Sequence, residues 1–392
     1  MVSDGRRIAD GFAIRTSIFY AVSCALLGIH MPFFPVWLEA VGFNAGQVGA
    51  ILAATALVRV VSVPAATHAA DGRFGVRSAI IAFASATALG FVLLGLVDRL
   101  WLIVALVVFA AFAHTPAVPL LDAYALRGLT ARGKAYGPVR LWGSAFFILA
   151  NLAAGIAFDL IAPRNLIWLI AASAVAIALT SLLLLPLPPR RPVGEQAETK
   201  RPLWRNPAFL AMMIAASLVQ SSHAVYYGFS TIGWTAAGLD GVAIGSLWAL
   251  GVVAEIVLFA LSGRLPPAIG PLQLLMLGAA GGVLRWTVMA FDPPGWTLPF
   301  LQCLHGLTFG ASHLAAIGFI ARAAPEGRGA TAQGYFSVLQ GITFSACMLL
   351  GGFLYARIGH LAYGAMACTS LLGGLIVVTI WMRSPGRGGV SA

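Results

Sequence analysis

The sequence predicts an all-α integral membrane protein with twelve transmembrane helices in two pseudo-symmetric six-helix bundles. Three observations support this fold class: 60% of the 392 residues are apolar and only 9% are charged, long apolar runs recur along the chain, and the two halves echo each other. A soluble globule of this length needs far more polar surface. We therefore expect a multi-pass protein of a bacterial-type inner membrane.

The predicted helices are apolar runs long enough to cross a bilayer, which takes roughly 20 residues. They cover residues 13–38, 45–68, 77–97, 100–123, 138–158, 165–185, 208–232, 242–262, 271–291, 296–320, 331–356 and 361–382. The first run is too long for the apolar region of a signal peptide and lacks a clear cleavage site. It is therefore predicted to remain as the first helix.

The positive charges predict the orientation. Most of the 24 Lys and Arg residues lie beside alternate breaks, and only Arg99, Arg164 and Arg357 fall on the other side. Because short loops rich in Lys and Arg stay in the cytoplasm, both termini are predicted to be cytoplasmic. The net charge of +11 follows from this topology, and the basic residues form no stripe for nucleic acid. The four cysteines show no CxxC spacing, so neither a disulfide framework nor a zinc site is suggested. No metal and no cofactor are expected.

A polar stretch rich in proline and basic residues divides six runs from six. It predicts an N-terminal bundle over residues 1–185, a cytoplasmic linker over 186–207 and a C-terminal bundle over 208–392.

The two halves also align without gaps over about 20 residues. GFNAGQVGAILAATALVRVV from Gly42 matches GLDGVAIGSLWALGVVAEIV from Gly238, 196 positions later, and Arg59 falls opposite Glu255. An internal repeat of this size is typical of transporters with a binding site near the bilayer midplane.

Charged residues inside spans are few, and each costs about 2.5–3.5 kcal/mol unless it meets a partner or an aqueous cavity. Glu255 and His313 lie about 13 Å from the predicted cytoplasmic end, Arg59 about 15 Å from it, and Arg285 about 10 Å from the outer end. These residues are therefore expected to face a partner or a water-filled cavity. Alternatively, Arg59 and Glu255 form an ion pair that holds helices in register.

A shallower pair, Asp122 and Arg140, lies near the cytoplasmic end, where the two side chains can form an ion pair. Tyr226, Tyr227 and Trp248 are candidates for packing against an aromatic ring, although the two tyrosines also suit an interfacial position.

Two further membrane histidines, His114 and His305, are interpreted as hydrogen bonders between helices rather than proton carriers.

Motifs of the common enzyme classes, such as GxSxG, HExxH and the P-loop, do not occur in the sequence. The loop ADGRFGVR after the second span is more informative. Asp71, Arg73, Gly75 and Arg77 there form a tight connection in which the acid can cap the next helix. We predict that this is a cytoplasmic gating loop.

The gating loop resembles the signature of the major facilitator superfamily, with Gly72 and His68 departing from its usual pattern. FFPVWL, YGPVRLWGS, SHAVYYGFSTIGW, LWALGVVAEIVLFAL, LRW and HLAA resemble one branch, the phenylpropionate permease group. This resemblance covers nearly the whole chain, and it places His223 with the tyrosines among the substrate-binding candidates.

The chain also resembles, more distantly, the lactose permeases. That likeness implies sugar-type recognition at Asp122 and Arg140, and matches Glu255, Arg285 and His313 to a proton-coupling group. On this resemblance we predict that Glu255 couples transport to protons and that Arg59 or Arg285 binds the anion of the substrate. Ala316 departs from it, since the lactose permeases carry an acid there.

The expected function is proton-coupled uptake of a small aromatic carboxylate by alternating access, by a monomer whose partners are protons, substrate and lipid. Alternatives are a sugar or nucleoside symporter, an exporter of amphipathic compounds, an intramembrane enzyme using His305 or His313, and a sensor without flux.

Overall fold

The computed structural model describes residues 3–71, 75–187, 203–266, 269–324 and 329–383, and in these ranges the regular structure is helical. The α-helices are α1 Ser3–Ala40, α2 Ala45–Asp71, α3 Gly75–Gly95, α4 Leu100–His114, α5 Ala117–Thr130, α6 Gly137–Leu160, α7 Leu166–Ser181, α8 Pro207–Ser221, α9 Ala224–Ala236, α10 Gly241–Leu261, α11 Pro271–Ala290, α12 Leu298–Cys303, α13 Ser312–Ala323, α14 Gly329–Ile358 and α15 Tyr363–Arg383. Most of the predicted linker 186–207 lies outside the described residues.

Eleven stretches of the described chain are long and apolar enough to cross a membrane. The last of them, Thr331–Arg383, contains both α14 and α15. The prediction of an all-helical, multi-pass membrane protein is therefore confirmed, whereas the number of spans and the side of the termini stay predictions.

Two predicted spans are interrupted near their middle. The span 100–123 divides into α4 and α5 at Thr115 and Pro116, because proline lacks an N–H and its ring crowds the preceding turn. The span 208–232 divides into α8 and α9 at Ser222 and His223. The Ser222 hydroxyl donates to the Val219 carbonyl at 2.6 Å, and the His223 Nδ1 lies 3.0 Å from the Gln220 carbonyl. Side chains that bond nearby carbonyls in this way compete with a regular helix.

The predicted span 296–320 is also irregular, since α12 leads through His305 into a π-helical segment, Gly306–Ala311, before α13. π-Helical turns are rare and often occur at functional sites. A Cβ atom at Gly306 would lie 2.8 Å from the carbonyl oxygen of Ala254 on α10. Glycine at this position therefore allows the π-helical segment to pack closely on α10.

The chain divides into two compact units. Unit 1 comprises Met1–Asn44, Leu57–Arg191 and Thr231–Ala249, and unit 2 comprises Ala45–Ala56, Pro192–Ser230 and Leu250–Ala392. In unit 1, α1 packs on α6 and α7, and α3 packs on α4 and α7. In unit 2, α11 packs on α15 and α13, and α8 packs on α14 and α15, around a core that includes Met212, Met213, Leu275, Ile320 and Phe336.

The glycines matched by the internal repeat have matching structural roles. Gly42 and Gly238 each follow a helix by two residues and have positive φ angles of 112° and 86°, a conformation that favours glycine at helix ends. Gly49 approaches Gly352 within unit 2, and Gly245 approaches the Asn151 carbonyl within unit 1. Small residues at such crossings let helix backbones come close.

Candidate functional site

A buried arginine organises the polar centre of unit 2. Arg285 on α11 has no exposed surface. Its Nη1 donates to the Nδ1 of His305 at 3.1 Å and to the Oγ1 of Thr308 at 3.2 Å, and its Nη2 donates to the Oε1 of Gln302 at 2.7 Å. A buried charge is costly without such partners. The irregular segment around the π-helix supplies all three acceptors.

Two aromatic rings cover the guanidinium of Arg285. Its Cζ lies 4.7 Å from the ring centre of Tyr226 and 4.6 Å from that of Trp286, as in cation–π contacts. Ser222 accepts the indole hydrogen of Trp286 at 2.9 Å, which ties the break between α8 and α9 to the same centre. Arg285 is thus held on several sides within unit 2.

The hydrogen bond from Arg285 determines which nitrogen of His305 carries its proton. A guanidinium only donates, so the Nδ1 of His305 must accept and be unprotonated. The hydrogen of the neutral ring then lies on Nε2, which is 4.0 Å from the Oε2 of Glu255. That distance is too long for a hydrogen bond, but a small side-chain rotation or one bridging water would close it.

The second histidine of this centre, His223, has the opposite tautomer. A carbonyl only accepts, so the Nδ1 of His223 donates to the Gln220 carbonyl at 3.0 Å. Its Nε2 lies 3.0 Å from the Oγ1 of Thr308. A charged ring would add a second buried cation beside Arg285, so the neutral ring accepts from Thr308, which in turn accepts from Arg285.

Glycines hold α10 against the segment that carries His305. A Cβ atom at Gly310 would lie 2.9 Å from the Leu258 side chain and 3.6 Å from that of Glu255, and one at Gly251 would lie 3.5 Å from His305. Close helix packing therefore brings the carboxylate and the imidazole together.

The histidine predicted for proton coupling, His313, has different neighbours. The ring of His313 on α13 stacks on Phe309 at 5.9 Å and lies 6.4 Å from the ring of Phe259. Among the described residues, the histidine within 4.0 Å of Glu255 is His305. The π-helical segment Gly306–Ala311 lies between the two histidines in the chain.

Unit 1 contains a polar cluster around Asp122 on α5. Its carboxylate accepts hydrogen bonds from the hydroxyls of Tyr20 at 2.5 Å and Tyr136 at 2.8 Å. Arg140 lies over the ring of Tyr20, with its Cζ 5.6 Å from the ring centre. The structure thus places the predicted Asp122 and Arg140 around the same tyrosine, and the carboxylate takes its hydrogen bonds from phenols.

Two other predicted site residues, Arg59 and Trp248, also lie in unit 1. The side chain of Arg59 on α2 is exposed, and the described residues offer it neither a hydrogen bond nor an ion pair. The indole of Trp248 is buried and donates to the Oγ1 of Thr231 at 3.1 Å.

The predicted gating loop is described in part, since Arg73 lies outside the described residues. Asp71 ends α2, and Gly75, with a φ of 72°, begins α3. The Nε of Arg77 donates to the Leu184 carbonyl at 2.6 Å, beside a bond from the Tyr124 hydroxyl to the Leu185 carbonyl at 2.7 Å. In unit 1 these donors satisfy carbonyl groups just after α7.

A pair of histidines in unit 1, His30 on α1 and His114 at the end of α4, was not predicted as a site. Their ring centres lie 6.2 Å apart. His30 stacks on Phe34 at 4.4 Å, and Phe91 lies edge-on to it at 5.5 Å. Within the described chain neither imidazole has a hydrogen-bond partner, and the Nδ1 of His114 is buried.

The chain matches known proteins over most of its length. The sequence pattern of the MFS_1 like family matches residues 13–363. The chain belongs to this family. It is 32% identical over 350 residues to a "Probable 3-phenylpropionic acid transporter" of Escherichia coli K12, covering 88% of this chain and 91% of that protein. It is also 28% identical to the maltose permease of Geobacillus stearothermophilus over 384 residues, 93% of this chain and 94% of the relative.

The fold of this transporter is shared with solved structures. The nucleoside transporter NupG matches with a TM-score of 0.80 and 14% identity, over 95% of this chain and all of NupG. A D-xylose-proton symporter matches with a TM-score of 0.74 and 11% identity, over 95% and 98% of the two chains. The chain is thus a major facilitator transporter of the bacterial inner membrane and not an enzyme.

Sequence reasoning missed several residues of the transporter's polar centres. Gln302 and Thr308 are common residue types, so only their contacts with Arg285 identify them. His30 and His114 could have been found from the repeat, because His223 and His305 follow them by 193 and 191 positions, close to the 196 of the glycine match. His114 was expected to form a hydrogen bond between helices, but it has no hydrogen-bond partner among the described residues.

Proposed function

We propose that this transporter carries a small aromatic carboxylate into the cell together with protons, by alternating access. The likeness to the phenylpropionic acid transporter supports the substrate class. The observation that carries the coupling is the contact between Glu255 and His305, with Arg285 on the far side of the imidazole. The internal repeat supports alternating access, since paired repeats commonly rock around a midplane site.

Glu255 is the proton-binding group in this proposal. The Nδ1 of His305 is occupied by Arg285, and its Nε2 already carries hydrogen, so the imidazole cannot take a proton without losing that bond. A proton that reaches this centre therefore has the Glu255 carboxylate as its acceptor. His305, which the sequence indicated as a hydrogen bonder between helices, takes in this proposal the role predicted for His313.

The anionic end of the substrate is assigned to unit 1. Arg285 is fully buried and already bonded to three acceptors, so a substrate would have to displace native partners to reach it. Arg59 is exposed and without a partner among the described residues. A mid-span arginine in that situation is expected to face a cavity or a ligand, so Arg59 provides the attraction for a carboxylate.

A second candidate is proton-coupled uptake of a sugar or nucleoside. The 28% identity to maltose permease favours it, and the Asp122 carboxylate with the Tyr20 and Tyr136 hydroxyls resembles a site that binds hydroxyl groups. Competition separates the two candidates: sugars would compete with the substrate only in this second case.

The first experiment is uptake of radiolabelled 3-phenylpropionate into proteoliposomes under an inward proton gradient, with and without a protonophore. We expect accumulation that the protonophore abolishes. Glu255→Gln should leave equilibration but remove accumulation, because an amide cannot carry the proton.

The matched control is Glu39→Gln, which removes an exposed carboxylate near the end of α1 and should accumulate like the wild type. Accumulation by Glu255→Gln would remove Glu255 from the mechanism. Uptake of sugars without uptake of the aromatic acid would replace the substrate class.

A further inference from the structure

We propose that His30 and His114, the unit 1 histidine pair, form a carboxylate-binding site that receives the acidic end of the transported molecule. This inference rests on the proposed function, because it deepens the assignment of an anionic substrate. It depends on three observations: the two imidazole rings lie 6.2 Å apart, neither has a hydrogen-bond partner within the described residues, and both lie at mid-membrane depth.

The geometry of the pair suits two-point recognition. The ring centres are 6.2 Å apart with an interplanar angle of 51°, and both side chains are half-buried. Phe34 is fully buried and stacks on His30, which fixes that ring in place. A rigid, partly open pair of imidazoles can present two polar edges to one ligand.

The lack of partners distinguishes this pair from ordinary buried histidines. Buried polar groups nearly always have hydrogen-bond partners, and each exception needs an explanation. The Nδ1 of His114 is one such exception among the described residues, and Arg285 Nε and Gln302 Nε2 are others. The position of His114 at the end of α4, just before Thr115 and Pro116, adds to this, since interrupted helices often line transporter binding sites near the midplane.

The depth of the pair agrees with a substrate site. Counted from the predicted outer ends of α1 and α4, His30 lies about 15 Å deep and His114 about 21 Å deep. Arg59, counted from the start of α2, also lies about 21 Å deep. The two imidazoles and the Arg59 guanidinium therefore lie within about 6 Å of one another in depth.

A carboxylate is the ligand class that fits these donors. Each neutral imidazole offers one N–H, and a carboxylate accepts hydrogen bonds at both oxygens. Hydrogen bonds to an ionised acceptor are stronger than neutral ones. An amide of the same shape would present an NH2 group to one of the two imidazoles and bind more weakly.

A bound water is the competing explanation for the unpaired nitrogen. A cavity of about 10 Å³ borders His114, which is room for at most one water. Its lining includes Phe19, Phe83, Leu120 and Ile177, with Thr87 as the only other polar side chain among its described neighbours. A water there finds few hydrogen-bond partners, so it explains the open imidazole poorly.

The test measures binding of 3-phenylpropionate and of its uncharged amide to the purified full-length transporter by titration calorimetry. We expect His30→Phe and His114→Phe to weaken binding of the acid by about tenfold or more, and binding of the amide much less. His30→Gln and His114→Gln keep an N–H donor and should recover most of the affinity. The ratio of acid to amide affinity is measured within one protein, so partial misfolding does not change it.

The matched control is His360→Phe, which changes an exposed histidine on the turn before α15. Unchanged ratios in both phenylalanine variants would overturn the histidine site while the proposed function stands. If only Arg59→Met lost the preference for the acid over the amide, the carboxylate would bind to the arginine alone. That result would also overturn the histidine site. Failure of the wild type to bind either compound would overturn both proposals.

Discussion

The two histidine pairs of this transporter lie 193 and 191 positions apart in the two halves of the chain but have opposite hydrogen-bonding states. In unit 2, His223 and His305 are 5.3 Å apart and bonded through Thr308 and Arg285 to fixed donors and acceptors. In unit 1, His30 and His114 are 6.2 Å apart and have no hydrogen-bond partner in the described structure. The same residue type thus serves a closed network in one unit and an open pair in the other.

The difference follows from the residues around each pair. Unit 2 places an arginine and a glutamate beside its imidazoles, and hydrogen bonds to Arg285 and Thr308 hold both rings in one arrangement. Unit 1 surrounds its pair with rings of Phe34 and Phe91, which hold His30 by shape and leave polar edges unused. We infer that unit 2 handles the proton and unit 1 recognises the substrate.

The largest expected effect is the difference in stability between replacing Arg285 in unit 2 and replacing Arg59 in unit 1. Arg285→Met leaves His305, Thr308 and Gln302 without their donor, at a cost of about 3 kcal/mol or more. Arg59→Met removes an exposed side chain without a partner in the described chain and should change stability by about 0.5 kcal/mol or less. Thermal unfolding in detergent measures both, and equal losses would contradict the distinction.

Exchanging one histidine of each pair should separate coupling from recognition. His305→Phe removes the donor that faces Glu255, so we expect the accumulation ratio to fall to equilibrium. His114→Phe should weaken the apparent affinity by about tenfold and keep accumulation at saturating substrate. Uptake in proteoliposomes over a substrate series gives both values, and a uniform loss in the two variants would argue against the division of roles.

Cutting the link between Arg285 and His223 should have a moderate effect. Thr308→Val removes the hydroxyl and leaves the buried Nε2 of His223 unbonded, which should cost about 1–3 kcal/mol. Thr308→Ser keeps the hydroxyl and should differ from the wild type by about 0.5 kcal/mol. Thermal unfolding of both variants in detergent tests this. A valine variant as stable as the wild type would show that the hydroxyl link between Arg285 and His223 is not needed.

Changing the helix contact beside His305 should have the smallest effect that can still be measured. In Gly306→Ala the new Cβ would meet a backbone oxygen at 2.8 Å, so α10 must shift at a cost of about 1 kcal/mol. In Gly251→Ala the nearest atom is at 3.5 Å, an ordinary contact, and uptake should stay close to the wild type. Equal accumulation by both variants would show that coupling tolerates separation of Glu255 from His305.

The repeat contained a signal for the unit 1 pair that residue-by-residue reading overlooked. His114 by itself suggests a helix contact, and His30 suggests nothing. Together with His223 and His305 they form a pattern spaced like the matched glycines. Depth in the membrane and a family likeness favour His313 as the proton-coupling histidine. Neither of them indicates the direction of a side chain.

The sequence by itself determined the membrane location, the helical class and the family, since these depend on apolar run length, composition and motifs that each segment carries locally. It also identified Glu255 and Arg285 as costly intramembrane charges. Only the tertiary structure decided that His305 is the neighbour of Glu255, that phenols bond Asp122 and that Arg285 is enclosed. Partners of buried polar groups depend on helix breaks and on how side chains from distant segments are brought together, which no local pattern contains.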